Sequence, residues 1–198
     1  NPPDLDLDEK YVSPAATDLF QIIKQNVDSA AKSSRGQLLY EMVNNLVTIT
    51  EHFQKAIIQM SQEDTKKYIN NPESIPPGLD HYLVMIGNTC LKWIEYTDDL
   101  SAKLEVHVEN EYKERLMSSM QRLHDGFLEI IKITNNCLVD MILYSGSSAI
   151  QLLFSGKWHS EEPIIDNIIA TFEDFFGDAF VHCEDFLFSK LQTDLMDQ

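Results

Sequence analysis

The stretch Tyr112-Lys113-Glu114-Arg115-Leu116-Met117-Ser118-Ser119-Met120-Gln121-Arg122-Leu123-His124-Asp125-Gly126-Phe127 reads as one long amphipathic α-helix. Tyr112, Leu116, Met120, Leu123 and Phe127 recur at steps of three and four residues. That period stacks side chains along one side of a 3.6-residue helix. The same spacing continues through Ile130, Ile131, Thr134, Leu138, Met141, Ile142, Ile150, Leu153 and Phe154. Unbroken, such a helix would approach roughly 60 Å at about 1.5 Å per residue. Ser145-Gly146-Ser147-Ser148 is the place for a break or kink.

Working outward, the flanking segments repeat the pattern. Ser13-Pro14 supplies an N-cap and then a proline at the first helical position, where its missing N–H costs nothing. The first helix is predicted from about Pro14 to Lys32, with Leu19, Phe20, Ile22, Ile23, Val27, Ala30 and Ala31 as its apolar stripe. Ser33-Ser34-Arg35-Gly36 ends it. In the second helix Leu38, Leu39, Met42, Val43, Leu46, Ile49, Phe53, Ala56, Ile57 and Met60 form one apolar side. Ser61 is a candidate kink, and the pattern fades through Lys66, Lys67 and Tyr68. Asn70-Asn71-Pro72-Glu73-Ser74-Ile75-Pro76-Pro77-Gly78 must be a loop. A third helix follows from near Leu79 to about His107 on Leu83, Ile86, Cys90, Trp93, Ile94, Leu100 and Leu104. A turn at Gly156–Ser160 then leads to Glu161, Glu162 and Pro163, which open a fifth helix carrying Ile164, Ile168, Phe172, Phe175 and Phe176. Beyond Val181, Phe186, Leu187, Leu191 and Leu195 suggest one more.

No strand pattern competes with these periods. The expected fold is all-α, an elongated antiparallel bundle of about five long helices, one part of a rod of stacked bundles. Residues 1–12 read as a leading linker and 13–181 as the bundle. Residues 182–198 read as the start of a following bundle or as a capping helix.

The 198 residues are 43% hydrophobic, enough for a sizeable core. Fifteen Lys and Arg stand against 32 Asp and Glu, a formal charge of −17. That balance argues against nucleic acid and against an anionic membrane surface as direct ligands, since both need cations. No apolar run reaches the roughly eighteen residues that span a bilayer, so no direct membrane insertion is expected. Cys90, Cys137 and Cys183 are odd in number and widely spaced, which reads as buried thiols of a cytoplasmic protein. The acids are concentrated: Glu161–Gln198 holds ten against one lysine, a net of −9. Glu161, Glu162, Glu173, Asp174, Asp178, Glu184 and Asp185 are the candidate partner-binding residues. They read either as a solvated face or as a surface that steers basic partners.

Templates for catalysis fail. None of the six histidines has a Glu three residues before it, as a di-iron bundle requires. No Cys-x-x-Cys, His-Glu-x-x-His, phosphate-cradling glycine loop or Gly-x-Ser-x-Gly elbow occurs. His182-Cys183-Glu184-Asp185 gathers ligand-type side chains, but neighbours on a helix point apart and rarely share one ion. No enzyme, metal or cofactor is therefore expected.

Several segments carry a family resemblance. Asn1-Pro2-Pro3, then Phe20-Gln21-Ile22-Ile23-Lys24-Gln25-Asn26-Val27 and Ala30-Ala31, is similar to the C-terminal half of the exocyst subunit family known as Sec-six. Ile86-Gly87-Asn88-Thr89-Cys90 resembles that family's Ile-Asn-Asn-Cys stretch. Lys157-Trp158 is similar to its Lys-Trp ending a long helix. Thr171-Phe172-Glu173-Asp174-Phe175-Phe176-Gly177-Asp178 resembles its Thr-Val-Glu-Asp-Tyr-Phe-x-Asp. The matches run in order over nearly the whole chain. Relatives are basic just after the last motif, whereas this chain continues with Cys183-Glu184-Asp185. The resemblance implies a scaffold subunit of the exocyst, which tethers secretory vesicles to the plasma membrane before SNARE-mediated fusion. It implies other exocyst subunits, SNARE proteins and SNARE regulators as partners, and peripheral recruitment to sites of exocytosis. A stand-alone regulatory helical module, a GTPase effector or SNARE regulator, is the alternative.

Overall fold

The computed structural model describes residues 10–70, 75–153, 155 and 163–197. They form α1 (Pro14–Ser33), α2 (Gln37–Asn70), α3 (Leu79–His107), α4 (Asn110–Leu153), α5 (Ile164–His182) and α6 (Asp185–Met196). No strand occurs among the described residues. The fold is all-α. It has six helices among those residues, the sixth in the segment beyond Val181 where one more was suggested. The sixth is separate because Cys183 and Glu184 are both extended, with ψ of 142° and 143°. Those two residues turn the chain between α5 and α6.

α4 runs unbroken for 44 residues, straight through Ser145–Ser148. The Ser145 hydroxyl donates to the Met141 carbonyl at 2.9 Å and that of Ser147 to Tyr144 at 2.7 Å. These side chains are satisfied inside their own helix instead of competing with it. At Gly146 a Cβ would stand at ordinary contact distance, 3.4 Å from Ile150 Cδ1 and 3.7 Å from Phe172 Cζ. Likewise α2 passes Ser61, which is buried, and continues to Asn70. Ser13 is the N-cap of α1, but its hydroxyl makes no capping bond. Its N–H donates instead to Thr89 Oγ1 at 3.0 Å.

The chain divides into two compact units. One comprises Val12–Ser61 and Thr89–Ile133. The other comprises the described residues of Asn1–Tyr11, Gln62–Asn88 and Thr134–Gln198. In the first, cross-helix pairs give the topology. Tyr40 stacks on Tyr112, Glu51 accepts from Arg122, and Gln54 donates to the Leu123 carbonyl, so α2 and α4 run parallel. Ser13 meets Thr89 and Phe20 meets Trp93, while Asp28 and Lys32 share a cleft with Lys103 and His107, so α1 and α3 run parallel. Ser101 meets Met117 and Glu105 meets Lys113, so α3 and α4 are antiparallel. This unit is an up-down-up-down four-helix bundle. Trp93 sits at its centre, 6.0 Å from the Phe20 ring and 5.4 Å from the Phe127 ring.

The buried face of α2 differs from the predicted one. Leu39 and Val43 are buried as expected, but Val47, Thr50, Gln54 and Ser61, none of them in the predicted stripe, continue the line. Leu38, Ile49, Phe53 and Met60, counted as apolar-stripe residues from their spacing, are exposed. The polar residues are tolerated inside because they bond. Thr50 Oγ1 donates to the Leu46 carbonyl at 2.9 Å, and Gln54 Nε2 to the Leu123 carbonyl at 2.8 Å.

Gln54 also fixes Gly126. A Cβ on Gly126 would lie 2.7 Å from Gln54 Cδ and 2.9 Å from its Nε2. Alanine is the better helix former by about 1 kcal/mol. Gly126→Ala should nonetheless destabilise the chain by about 1–2 kcal/mol, because the buried amide of Gln54 must give up its bond. In a Gln54→Ala background the same substitution should become neutral or stabilising. Denaturant titration of the four-member cycle checks this, and a cost unchanged by the background would contradict it.

Candidate interaction site at the corner of α5 and α6

Within the second unit, α3 presents Gly87 and Asn88 to the α5–α6 corner. Asn88 is 1% exposed. Its Nδ2 donates to the Tyr11 carbonyl at 3.0 Å and to the His182 carbonyl at 2.7 Å. Its Oδ1 accepts the Glu184 N–H at 2.9 Å. The Tyr11 N–H also donates to the His182 carbonyl at 3.3 Å. A carboxamide is suited to this place because it donates and accepts at once. It serves a carbonyl at the end of α5 and an amide at the start of α6, where backbone groups lack helical partners. At Gly87 a Cβ would stand 3.2 Å from Leu187 Cδ1, so the missing side chain is what lets α6 seat. Leu187 and Leu191 are its buried residues.

The rings complete the corner. Tyr11 stacks on His182 with centroids 3.9 Å apart and planes 8° apart. His81 meets both rings edge-on, at 5.6 Å and 6.0 Å. Lys10 Nζ donates to the Cys183 carbonyl and pairs with Asp185 at 3.3 Å. A cleft of about 370 Å³ adjoins these groups, lined among others by Asp80, His81, Ser145, Thr171, Asp174, Phe175 and His182.

The structure places the sequence-derived residues unevenly. Glu173 and Asp174 are exposed on α5, and Asp174 lines the cleft. Asp178 lies on the same helix. Glu184 is the N-cap of α6, its backbone held by Asn88. Asp185 follows, 96% exposed at its side chain and paired with Lys10. Glu161 and Glu162, with Trp158, lie outside the described residues. Glu184 and Asp185 are thus brought together with Lys10. Asp174 stands eight residues before the end of α5, about 12 Å along the axis.

Cys90, Cys137 and Cys183 are buried free thiols. Burial pushes Cys90 up to about 12 and Cys183 up to about 11, the latter partly offset by nearby Lys10. Such thiols stay protonated near neutral pH and are poor nucleophiles and ligands. Among the described residues no group of three or more His, Cys, Asp or Glu is placed to hold a metal ion. No described helix is long and apolar enough to cross a membrane. Sequence reasoning had Asn88 only inside a family motif, with no role. The available signal was a Gly-Asn pair interrupting an apolar stripe.

The fold and the corner define an all-helical segment in which buried amides hold helices together. The crystal structure of the C-terminal domain of the exocyst subunit Sec6p has the same fold, with a TM-score of 0.86 at 24% identity over 98% of this chain and 52% of that one. The family model for exocyst complex component Sec6 matches residues 1–198, and the chain belongs to that family. It is 26% identical over 183 residues to exocyst complex component sec6 of Schizosaccharomyces pombe, covering 91% of this chain and 24% of that protein. It is 26% identical over 171 residues to SEC6 of Saccharomyces cerevisiae, covering 80% and 21%. The chain spans about a quarter of the length of these curated relatives.

Asn88→Ala leaves the Tyr11 carbonyl and the Glu184 amide without their partner. The cost should be about 3 kcal/mol, or roughly 6–12 °C in melting temperature. Asn88→Asp should cost at least as much at pH 7, because a carboxylate then faces two carbonyl oxygens. Burial raises that carboxyl, so its deficit relative to wild type is smallest below pH of about 4 and grows as pH rises. Thermal melts across pH test both, and a pH-independent deficit for the Asp variant would count against this geometry.

Proposed function

We propose that this chain is a non-enzymatic scaffold segment of the exocyst, acting through protein–protein contacts while secretory vesicles are tethered to the plasma membrane before SNARE-mediated fusion. The observation that carries the reading is the family match over all 198 residues. Its partners are other exocyst subunits, with SNARE proteins and SNARE regulators met at the site of fusion. It works in the cytoplasm and is recruited peripherally to sites of exocytosis. α6 acts as a capping helix, a reading supported by its seat on Gly87 and by the Asn88 bonds.

The acids contribute a second contact. Glu173 and Asp174 are exposed, and Asp174 lines the same cleft as Asp80. That combination suits a basic side chain from a partner. Asp185 contributes less, because Lys10 already offsets it.

One purification tests both points. Full-length tagged protein should bring down the other exocyst subunits in stoichiometric amounts, quantified by mass spectrometry. Recovery of a lone small GTPase would favour the stand-alone regulatory module instead. The Glu173→Lys, Asp174→Lys double variant should lose at least one of those partners, and rising salt should weaken recovery of the same partner by the wild-type chain. Unchanged recovery at every salt concentration would remove the acidic face from the account.

A further inference from the structure

α2 carries a second apolar stripe that its bundle covers only at its start, where Met42 and Leu46 are half-buried. Met42, Leu46, Ile49, Phe53, Ala56 and Met60 follow steps of 4, 3, 4, 3 and 4 residues. That is the a/d repeat of a coiled-coil seam. At about 100° per residue they fall within a sector roughly 80° wide, beside the buried line of Leu39, Val43, Val47, Thr50 and Gln54. Ile49 is 66% exposed, Phe53 49% and Met60 42%. Leu46 shares a small gap with Ile23 of α1, so the stripe borders α1, where Leu19 and Ile22 are exposed too.

The charges beside the stripe set it apart from the rest of the surface. The chain has 32 acids, yet between Met42 and Met60 only Glu51 is acidic. Glu51 lies on the other side of α2, accepting from Arg122 Nε at 3.0 Å. The outer flank of the stripe is Asn45, Thr48, His52, Lys55 and Gln59. From Asn45 to Gln59 that flank carries no acid, with Glu41 before it and Glu63 after it, and on a chain of charge −17 this middle stretch is the part open to an acidic partner.

We infer that this stripe is the docking surface for one amphipathic α-helix of another protein, with a matching 4-3 apolar repeat and acidic residues along one edge. The inference deepens the scaffold reading above and rests on it. The stripe is about 27 Å long. Six side chains on one helix fall well short of the 20–30 residues a side that a standard interface between folded chains uses. They match the helix-in-groove mode, read by anchors at three- and four-residue steps. Two chains of −17 each also repel, which disfavours a second copy.

The probe is a fluorescein-labelled 21-residue peptide with Leu at a and d and Glu at e and g, whose own charges keep it from pairing with itself. Anisotropy titration against the 198-residue chain should show saturable binding. Ile49→Ser with Phe53→Ser should weaken it at least tenfold, and so should His52→Glu with Lys55→Glu. All these positions are exposed, so circular dichroism and melting should stay at wild type. A Lys-flanked version of the peptide should bind less tightly. Absence of saturable binding, or binding indifferent to both pairs of substitutions, overturns the proposal. So does a dimer in sedimentation equilibrium that Ile49→Ser with Phe53→Ser dissolves, which would give the face to a second copy. A crosslink in the full-length polypeptide from Lys55 to another part of the same chain would give it to that part. None of these failures would alter recovery of the exocyst subunits, so the scaffold reading stands or falls separately.

Discussion

The carboxamide of Asn88 is held against two carbonyl oxygens and one amide hydrogen, from Tyr11, His182 and Glu184. Two chain segments far apart in sequence, at Tyr11 and at 182–184, therefore converge on one side chain of a third. The pattern also orients it. With Nδ2 and Oδ1 exchanged, oxygen would face both carbonyls and nitrogen would face an N–H, and no bond would form. The second unit depends on this junction because the α5–α6 turn is made of two extended residues, and the Glu184 N–H finds its acceptor in Asn88 Oδ1 and not in a helix. Gly87 completes the arrangement by letting Leu187 approach α3. Stacking of Tyr11 on His182 then covers the buried polar centre with rings.

Helical period was the legible part. Leu116, Met120, Leu123 and Phe127 are buried at the spacing that announces them, and α3 begins after the loop at Pro76-Pro77-Gly78 and ends at His107, as its stripe predicts. Period alone misleads where one helix has two apolar sectors. On α2, Ile49 and Phe53 satisfy the same spacing as Val43 and Val47, and only the bundle's geometry decides which sector turns inward. Thr50 and Gln54 went unread for the complementary reason. Their burial depends on bonds to Leu46 and Leu123, and the Leu123 carbonyl belongs to another helix. Ser145–Ser148 misled by composition, since serine hydroxyls that bond inside the helix do not break it.

The site was less legible than the fold. Net charge drew attention to the acids after Ser160, yet Asp185 is partnered by Lys10, a residue read as linker. Asn88 left little signal because a buried amide looks like any polar residue until its three partners are known. The same buried amides give the fold its specificity. Buried amides at Gln54 and Asn88 fix which helices meet, while exposed faces on α2 and α5 remain free of those duties.

Native-state hydrogen exchange at the Glu184 amide tests the central role of Asn88 most directly. An amide at the start of a short helix ordinarily exchanges almost as fast as a free peptide. Bonded to Asn88 Oδ1, it should be protected roughly a thousandfold or more, together with the Tyr11 amide, and should lose that protection in Asn88→Ala. Exchange of Glu184 at the free-peptide rate in the wild-type chain would contradict the account.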